Sequence, residues 1–173
     1  MNIYIIGYRG SGKTTLGRKI SYGLNFEFAD MDEIIVKEEK RPIPVIFASS
    51  GERYFRGKES EVLEHISKSM SPTVVSTGGG IILSSSNRDI IKRTGFCVYL
   101  KASKEILQSR IEGDNNRPPL TSLPLAEEIT RILSIREPLY EETADITVDT
   151  GIQNTDGCSD FIIKSFKKWR NEK

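Results

Sequence analysis

The segment that sets the architecture of this chain spans residues 2–24 and reads NIYIIGYRGSGKTTLGRKISYGL. It opens with an apolar, β-rich run at residues 2–6, continues through a glycine-rich turn at residues 7–12, and ends in a run with apolar side chains at helical spacing. Glycines allow backbone N–H groups to close around phosphate oxygens, and the N-terminus of the following helix adds a positive dipole end. This strand, turn and helix therefore predict a binding site for the phosphates of a nucleoside triphosphate.

Two side chains after the turn are predicted to complete the phosphate site. Lys13 can reach the β and γ phosphates, and the Thr14 hydroxyl can bind a Mg²⁺ ion that bridges them. The same loop occurs in switch GTPases, motor ATPases and small-molecule kinases, so it does not identify the reaction. A guanine-specifying Asn-Lys-x-Asp stretch would favour the GTPase. The closest string, Asn87-Arg88-Asp89, lacks the lysine and lies in a helical pattern.

Length and charge restrict the function classes. The 173 residues fit around one hydrophobic core, so we expect a single domain over residues 1–173. A balance of 25 Lys and Arg against 24 Asp and Glu provides no global field for nucleic acid or an anionic membrane. The two cysteines are too few for a disulfide framework, and no stretch resembles an export leader or a spanning helix. We expect a cytoplasmic protein with no nucleic-acid or membrane partner.

Short β-rich runs alternate with helical stretches, which is typical of a parallel sheet covered by helices on both faces. Five runs are predicted as strands, at residues 2–6, 27–29, 73–76, 96–100 and 146–148. Helices are predicted at residues 13–24, 58–70, 85–94, 103–110, 125–140 and 160–169. The expected fold class is therefore α/β, with a five-stranded parallel sheet flanked by helices.

One segment interrupts this alternation. Between residues 113 and 124, glycine, asparagine and proline disfavour regular structure and hydrophobic burial. Loops of this length inside compact domains are often active-site lids, and this one carries Arg117 near its middle. We predict a mobile lid at about residues 111–124 whose closure completes the site.

Two carboxylates follow the second predicted strand. Asp30 and Asp32 lie at the C-terminal edge of the sheet, where open α/β folds bind their ligands. One could hold a metal-bound water, while the other could orient an acceptor hydroxyl or accept its proton. Alternatively, either aspartate only caps the helix that begins near Glu33.

Two arginines and a glycine triplet are predicted to complete an acceptor pocket. The guanidinium groups of Arg56 and Arg136 match the geometry of a carboxylate, although each could instead form a surface ion pair. The triplet at residues 78–80 follows the third strand and allows a ligand to lie against bare backbone, unless it is only a flexible turn. Together with the aspartates, these features predict a pocket beside the γ-phosphate for a small polyhydroxylated acid.

The order and spacing of these motifs resemble the shikimate kinase family over nearly the whole chain. The matching elements are the loop at residues 7–14, Asp30-x-Asp32, Ile46-Phe47-Ala48, Gly51-Glu52, Phe55-Arg56-x-x-Glu59, Ser76-x-Gly78-Gly79-Gly80, Arg117-Pro118, Arg136-x-Pro138-x-Tyr140, Ala144-Asp145 and Val148-Asp149-Thr150. The resemblance implies a three-layer P-loop kinase fold with strand order 2-3-1-4-5. It also implies transfer of the γ-phosphoryl group of MgATP to the 3-hydroxyl of shikimate, a step towards chorismate and the aromatic amino acids.

The resemblance further implies roles for individual residues. The catalytic residues would be Lys13, Asp32 and Arg117. ATP would be bound by Gly10, Ser11, Gly12, Lys13, Thr14, Thr15, Arg110, Arg117 and Asn154, with Arg110 stacked on adenine. Shikimate would be bound mainly by a region at about residues 31–60. It would contact Asp32, Phe47, Phe55, Arg56, Gly78, Gly79, Gly80 and Arg136. Arg56 and Arg136 would hold its carboxylate. Mg²⁺ would be held directly by Thr14 and through water by Asp30 and Ser76.

Two positions depart from the family pattern. Pro119 stands in the predicted lid where the family usually has leucine, and Thr155 follows Asn154 where the family often has proline. The first therefore bears on the placement of Arg117, and the second on how adenine packs.

Other functions remain as alternatives. The nearest is a kinase for another hydroxylated acid such as gluconate, against which Phe55-Arg56 and the paired aspartates favour shikimate. A nucleoside monophosphate kinase would call for several arginines and a base-reading pocket, which the sequence does not offer. A non-catalytic nucleotide-binding switch is disfavoured because Lys13, Asp32 and Arg136 are all present. We expect an enzyme that acts as a monomer.

Overall fold

The computed structural model describes residues 1–112 and 121–173. Its centre is a parallel sheet of five strands in the order β2-β3-β1-β4-β5. The strands are β1 (Asn2–Ile6), β2 (Glu27–Asp30), β3 (Thr73–Ser76), β4 (Gly95–Lys101) and β5 (Ile146–Asp149). The predicted fold class and strand order are therefore confirmed.

Helices cover both faces of the sheet. Within the described ranges they are α1 (Lys13–Leu24), α2 (Met31–Glu39), α3 (Ile43–Ser67), α4 (Ser85–Thr94), α5 (Lys104–Glu112), α6 (Leu125–Thr143) and α7 (Thr155–Asn171). A short 3₁₀ helix at Ile81–Leu83 follows the glycine triplet.

The central strand β1 is buried along its whole length. Because successive side chains of a strand point to opposite faces, Tyr4 and Ile6 join a core cluster that includes residues of α2, α3 and α4. Ile3 and Ile5 join a second cluster with residues of α1 and α7. Each fully buried aliphatic side chain contributes about 1.5 to 3 kcal/mol relative to exposure. These two apolar layers fix the carboxyl ends of the strands at one common edge.

A third cluster lies beyond the sheet edge and links the glycine-rich loop to two helices. Tyr8 of the loop packs there with Leu107 and Ile111 of α5 and with Ile129 and Leu133 of α6. The glycine-rich loop is thereby held by α5 and α6.

The bounds of α3 differ most from the sequence-based expectation. A helix was expected at residues 58–70, whereas α3 begins at Ile43 and ends at Ser67. Pro42 precedes it in an extended conformation, and Gly51 interrupts it with φ 80° and ψ 165°. Proline, serine and glycine recur at positions 42, 44, 49–51 and 57 and have low helix propensity, so the sequence pattern indicated only the later half of α3.

The start of α7 also differs. The predicted helix began at residue 160, but Asn154 accepts a hydrogen bond of 2.8 Å from the Gly157 N–H and caps a helix that starts at Thr155. Within residues 1–112 and 121–173, no helix is both long enough and apolar enough to cross a bilayer.

Candidate active site

The candidate site lies at the carboxyl edge of the sheet, where β1, β2 and β3 end. β1 leads into the glycine-rich loop, β2 into Asp30 and Asp32, and β3 through Ser76 into the glycine triplet. Because the three strands are parallel neighbours, segments distant in sequence converge there.

The glycine-rich loop depends on glycine at particular positions. Gly12, the residue before α1, has φ 94°, a left-handed conformation that side chains disfavour. A Cβ atom on Gly7 would lie 2.6 Å from the carbonyl oxygen of Leu100, so no side chain fits between β1 and β4. The loop can therefore close around phosphate oxygens with its backbone N–H groups.

Lys13 folds back over this loop. Its Nζ donates hydrogen bonds to the carbonyl oxygens of Gly7 at 3.0 Å and Tyr8 at 2.9 Å. The ammonium group is thus oriented above the turn, where a phosphate chain cradled by the loop would meet it.

Three oxygen-bearing side chains gather beside α1. The Thr14 hydroxyl donates to Oδ2 of Asp30 at 2.7 Å and lies 3.4 Å from Oγ of Ser76. Hydroxyl and carboxylate oxygens are hard donors of the type that Mg²⁺ prefers, so these residues fit the metal expected from the sequence. Within the described residues, no cluster of three or more His, Cys, Asp or Glu side chains offers another metal site.

The predicted cap by Asp30 is present, and the same carboxylate also borders the site. Its Oδ1 accepts hydrogen bonds from the backbone N–H groups of Asp32 at 3.1 Å and Glu33 at 3.4 Å, and so caps α2. Its Oδ2 faces Thr14. The cap fixes the carboxylate that borders the site.

A cavity of about 370 Å³ extends from the loop to α3. It brings together most of the predicted catalytic, metal and acceptor residues, and among those that line it are Gly10, Gly12, Lys13, Thr14, Thr15, Asp30, Asp32, Phe47, Phe55, Arg56, Ser76, Gly78, Gly79, Gly80 and Arg136. One continuous cleft therefore joins the phosphate loop to the predicted acceptor pocket.

Arg56 lines the acceptor end of the cleft. Its guanidinium forms an ion pair with Glu59 and donates to Oε1 of Glu52 at 3.0 and 3.2 Å. Burial opposes its charge, but Glu59 and Glu52 outweigh that effect and raise the pKa of Arg56. A Cβ atom on Gly80 would clash with the guanidinium of Arg56, so the cation lies directly against the triplet. Arg56 therefore forms ion pairs, as the alternative interpretation expected, and it also lines the cleft.

Two aromatic rings and the glycine triplet also line the cleft. The rings of Phe47 and Phe55 lie with centroids 4.8 Å apart. A Cβ atom on Gly78 would lie 3.3 Å from Oδ1 of Asp32, and one on Gly79 would lie 3.6 Å from Nη1 of Arg136. Carboxylate, guanidinium and bare backbone are therefore adjacent.

Glu59 is a site residue to which no role was given from sequence. It is 1% exposed, lines the cleft, and comes so close to Gly78 that a Cβ atom there would clash with it. Burial raises the pKa of Glu59, Arg56 opposes this rise, and Asp32 adds to it. The Arg-x-x-Glu spacing, which places both side chains on one helix face, was the available signal.

A second cavity, of about 340 Å³, lies on the other side of the loop. The predicted nucleotide residues Ser11 and Arg110 line it, along with Thr150 and Gln153. Arg110 donates to the Thr150 carbonyl at 2.8 Å and to its hydroxyl at 3.0 Å, which ties α5 to the end of β5. This cavity suits a base or ribose next to the phosphate loop.

Two predicted nucleotide residues are not brought to either cavity by the described structure. The side chain of Asn154 caps α7, while its neighbours Gln153 and Thr155 line the second cavity. Arg117 and Pro119 belong to residues 113–120, which lie outside the described residues. The roles predicted for Asn154 and Arg117 stay predictions.

Comparison with known proteins gives a consistent family. A model of the family described as "Shikimate kinase" matches residues 9–167. A shikimate kinase of Rhodopirellula baltica is 36% identical over 168 residues, 95% of this chain and 89% of that protein. One of Caldicellulosiruptor saccharolyticus is 38% identical over 162 residues, covering 94% and 93%.

Solved structures agree. Shikimate kinase of Acinetobacter baumannii in complex with shikimate superimposes with a TM-score of 0.89 at 34% identity, covering 96% of this chain and 93% of that one. A gluconokinase of Sinorhizobium meliloti has a TM-score of 0.61 at 17% identity, over 99% of this chain and 94% of that one, which indicates a shared fold alone.

Proposed function

The chain belongs to the shikimate kinase family, and we propose that it transfers the γ-phosphoryl group of MgATP to the 3-hydroxyl of shikimate. The products are shikimate 3-phosphate and ADP. The observation that carries this proposal is that Lys13 of the phosphate loop lines the same cleft as Asp32, Arg56 and Arg136. A phosphate site and a site for an acidic, hydroxylated acceptor share that cleft, as direct transfer between two bound substrates requires.

The acceptor end supplies recognition of charge and shape. Arg56 and Arg136 hold the shikimate carboxylate, because a guanidinium forms paired hydrogen bonds with a planar anion. Phe47 and Phe55 pack against the apolar side of the ring, while the amides of Gly79 and Gly80 face its polar side. Asp32 accepts a hydrogen bond from the 3-hydroxyl and takes its proton as the oxygen attacks.

At the phosphate end the requirement is positioning and charge neutralisation. The 3-hydroxyl oxygen forms a bond to the γ-phosphorus while the bond from that phosphorus to the bridging oxygen of ADP breaks. Lys13, the loop amides and Arg117 stabilise the charge that spreads over the equatorial oxygens. Thr15, Ser11, Arg110 and Asn154 bind the remainder of ATP, with Arg110 against adenine.

The metal site uses the residues that gather beside α1. Thr14 would bind Mg²⁺ directly, and Asp30 and Ser76 would hold it through water. When bound, the ion neutralises charge on the β and γ phosphates.

The remaining sequence-based expectations complete the proposal. The chain is one domain over residues 1–173, with the acceptor region at about residues 31–60, and it acts as a monomer in the cytoplasm without nucleic-acid or membrane partners. A lid at about residues 111–124 stays a prediction, because residues 113–120 lie outside the described part of the chain.

A coupled ADP-release assay tests the proposed function. The purified protein is given MgATP with shikimate, quinate, gluconate or a nucleoside monophosphate, and the phosphorylated product is identified by ³¹P NMR. We expect rapid ADP release with shikimate alone, formation of shikimate 3-phosphate, and loss of both with Lys13→Ala. Activity with gluconate but not with shikimate would overturn the proposal, as would ATP hydrolysis that does not depend on any acceptor.

A further inference from the structure

Tyr140 contacts Gly79 and Arg136, two residues that line the cleft, although it does not line the cleft itself. It lies one helical turn after Arg136 on α6 and is fully buried. Its hydroxyl donates a hydrogen bond of 2.5 Å to the carbonyl oxygen of Gly79. This bond joins the end of α6 to the middle of the glycine triplet, 61 residues away in sequence.

Three elements meet at Gly79. A Cβ atom built there would lie 3.3 Å from the carbonyl oxygen of Gly7, 3.6 Å from Nη1 of Arg136 and 3.6 Å from the hydroxyl of Tyr140. The first residue of the phosphate loop, one of the arginines assigned to the acceptor and the tyrosine therefore surround a single α-carbon. A shift of the triplet would disturb the acceptor end and its distance from the phosphate loop together.

The ring that carries the Tyr140 hydroxyl is fixed by packing against β4. It stacks on the ring of Tyr99 in β4, with centroids 5.0 Å apart and planes 20° apart. Burial raises the pKa of the Tyr140 hydroxyl well above its ordinary range, although the neighbouring Arg136 opposes this rise. The hydroxyl therefore keeps its proton and remains a donor at physiological pH.

The bond to Gly79 also orients the next amide. The carbonyl of Gly79 and the N–H of Gly80 belong to one planar peptide unit, and in a trans peptide they point in opposite directions. Holding the carbonyl against Tyr140 thus turns the Gly80 N–H away from α6. Gly80 borders the cleft, directly against the guanidinium of Arg56.

We propose that Tyr140 is a positioning residue for the acceptor: it fixes the Gly79–Gly80 peptide relative to Arg136 so that backbone amide and guanidinium bind shikimate in one geometry. The inference rests on the proposed function, since it assigns Tyr140 to the acceptor half of that site. If Tyr140 only filled the core, its substitution would lower folding stability and leave the affinity for each substrate unchanged.

The test compares Tyr140→Phe with the matched variant Tyr99→Phe. Both changes remove one hydroxyl from the same stacked pair and keep the ring, but only the first breaks the bond to Gly79. We expect Tyr140→Phe to raise the KM for shikimate about three- to tenfold, the range for loss of one neutral hydrogen bond, with the KM for ATP changed less than twofold. Tyr99→Phe should leave both KM values at the wild-type level.

A second measurement links Tyr140 to Arg136. If the two side chains set one geometry, Tyr140→Phe should raise the shikimate KM less in an Arg136→Lys background than in the wild type. Thermal unfolding without substrates records any loss of stability separately.

The outcomes are distinct. Equal changes in both KM values, changes in neither, or an equal effect of Tyr99→Phe would overturn the positioning role. Wild-type protein that does not phosphorylate shikimate would overturn the proposed function instead, before any variant is measured.

Discussion

The Thr14 hydroxyl donates a 2.7 Å hydrogen bond to Oδ2 of Asp30, which joins the first turn of α1 to the end of β2. Oδ1 of the same aspartate caps α2. One carboxylate thus serves both the local structure and the edge of the proposed metal site, and a substitution that keeps the cap can separate the two roles.

Asp30→Asn should weaken the use of Mg²⁺ while the helix cap survives. The amide oxygen can still accept from the α2 backbone, but the negative charge next to Thr14 is lost. Changes in groups that orient metal ligands cost about ten- to a hundredfold in metal affinity, so we expect the Mg²⁺ concentration for half-maximal velocity to rise about tenfold. Glu33→Gln, an exposed change in the same helical turn, is the control. If Asp30→Asn left the Mg²⁺ concentration for half-maximal velocity unchanged, Asp30 would not take part in binding the metal.

Arg56→Ala should weaken shikimate far more than ATP. Removing a charged hydrogen-bond donor costs about 1.5 to 3 kcal/mol, or about ten- to a hundredfold in affinity for the acid. Stability should fall as well, since buried Glu59 loses its ion-pair partner. Isothermal titration with each substrate provides the comparison.

Arg53→Ala is the matched control for this change, because Arg53 is an exposed arginine on the same helix. It should leave both affinities unchanged. Equal weakening of ATP and shikimate by Arg56→Ala would move Arg56 out of the acceptor site.

The part of the fold predicted from sequence is the part determined by local pattern. Residues 2–24 carry a strand, a glycine turn and an amphipathic helix in direct succession, so each element is predicted from its own residues. Because β2 and β3 are parallel neighbours, Asp30 and the glycine triplet lie at the same edge of the sheet, and this could be predicted from the strand assignments alone.

The contacts that the sequence did not predict are long-range or depend on burial. The bond from Tyr140 to Gly79 spans 61 residues, and only the packing of α6 against the sheet brings the two together. The early part of α3 contains proline, serine and glycine, which have low helix propensity, and the helix is interrupted at Gly51. Glu59 carries a visible spacing signal, but its burial follows from the fold and not from its neighbours in sequence.

The wild type should lose stability relative to Glu59→Gln as the pH rises. Burial raises the pKa of Glu59 above its ordinary value of 4.5, so the native carboxyl binds its proton more tightly than the unfolded one. Its stabilising contribution is therefore complete below pH 4.5 and is lost as the pH rises through the native pKa. Urea unfolding at several pH values measures the difference.

The test uses the change with pH in the difference between the two free energies of unfolding. The size of that difference at any one pH is not used, because it also includes the altered contact with Arg56. Glu52→Gln removes the exposed carboxylate that contacts the same arginine and is the control. The assigned direction would be contradicted if the stability of the wild type relative to Glu59→Gln stayed constant with pH, or if it increased as the pH rises.

The ion pair between Arg9 and Glu128 should couple the phosphate loop to α6. The two side chains are 13% and 1% exposed, and the other oxygen of Glu128 accepts from the Thr121 N–H at 2.7 Å and from its hydroxyl at 3.0 Å. Residues in direct contact show interaction energies of about 0.5 to 3 kcal/mol, and burial places this pair towards the upper end. In a double-mutant cycle of Arg9→Met and Glu128→Gln, we therefore expect the double variant to be more stable than the sum of the single losses predicts.

Denaturant unfolding of the wild type, the two single variants and the double variant gives the coupling energy. The same cycle with Arg18→Met and Glu33→Gln, an exposed ion pair, is the control. Additive losses at Arg9 and Glu128 would mean that α6 and the phosphate loop are stabilised independently.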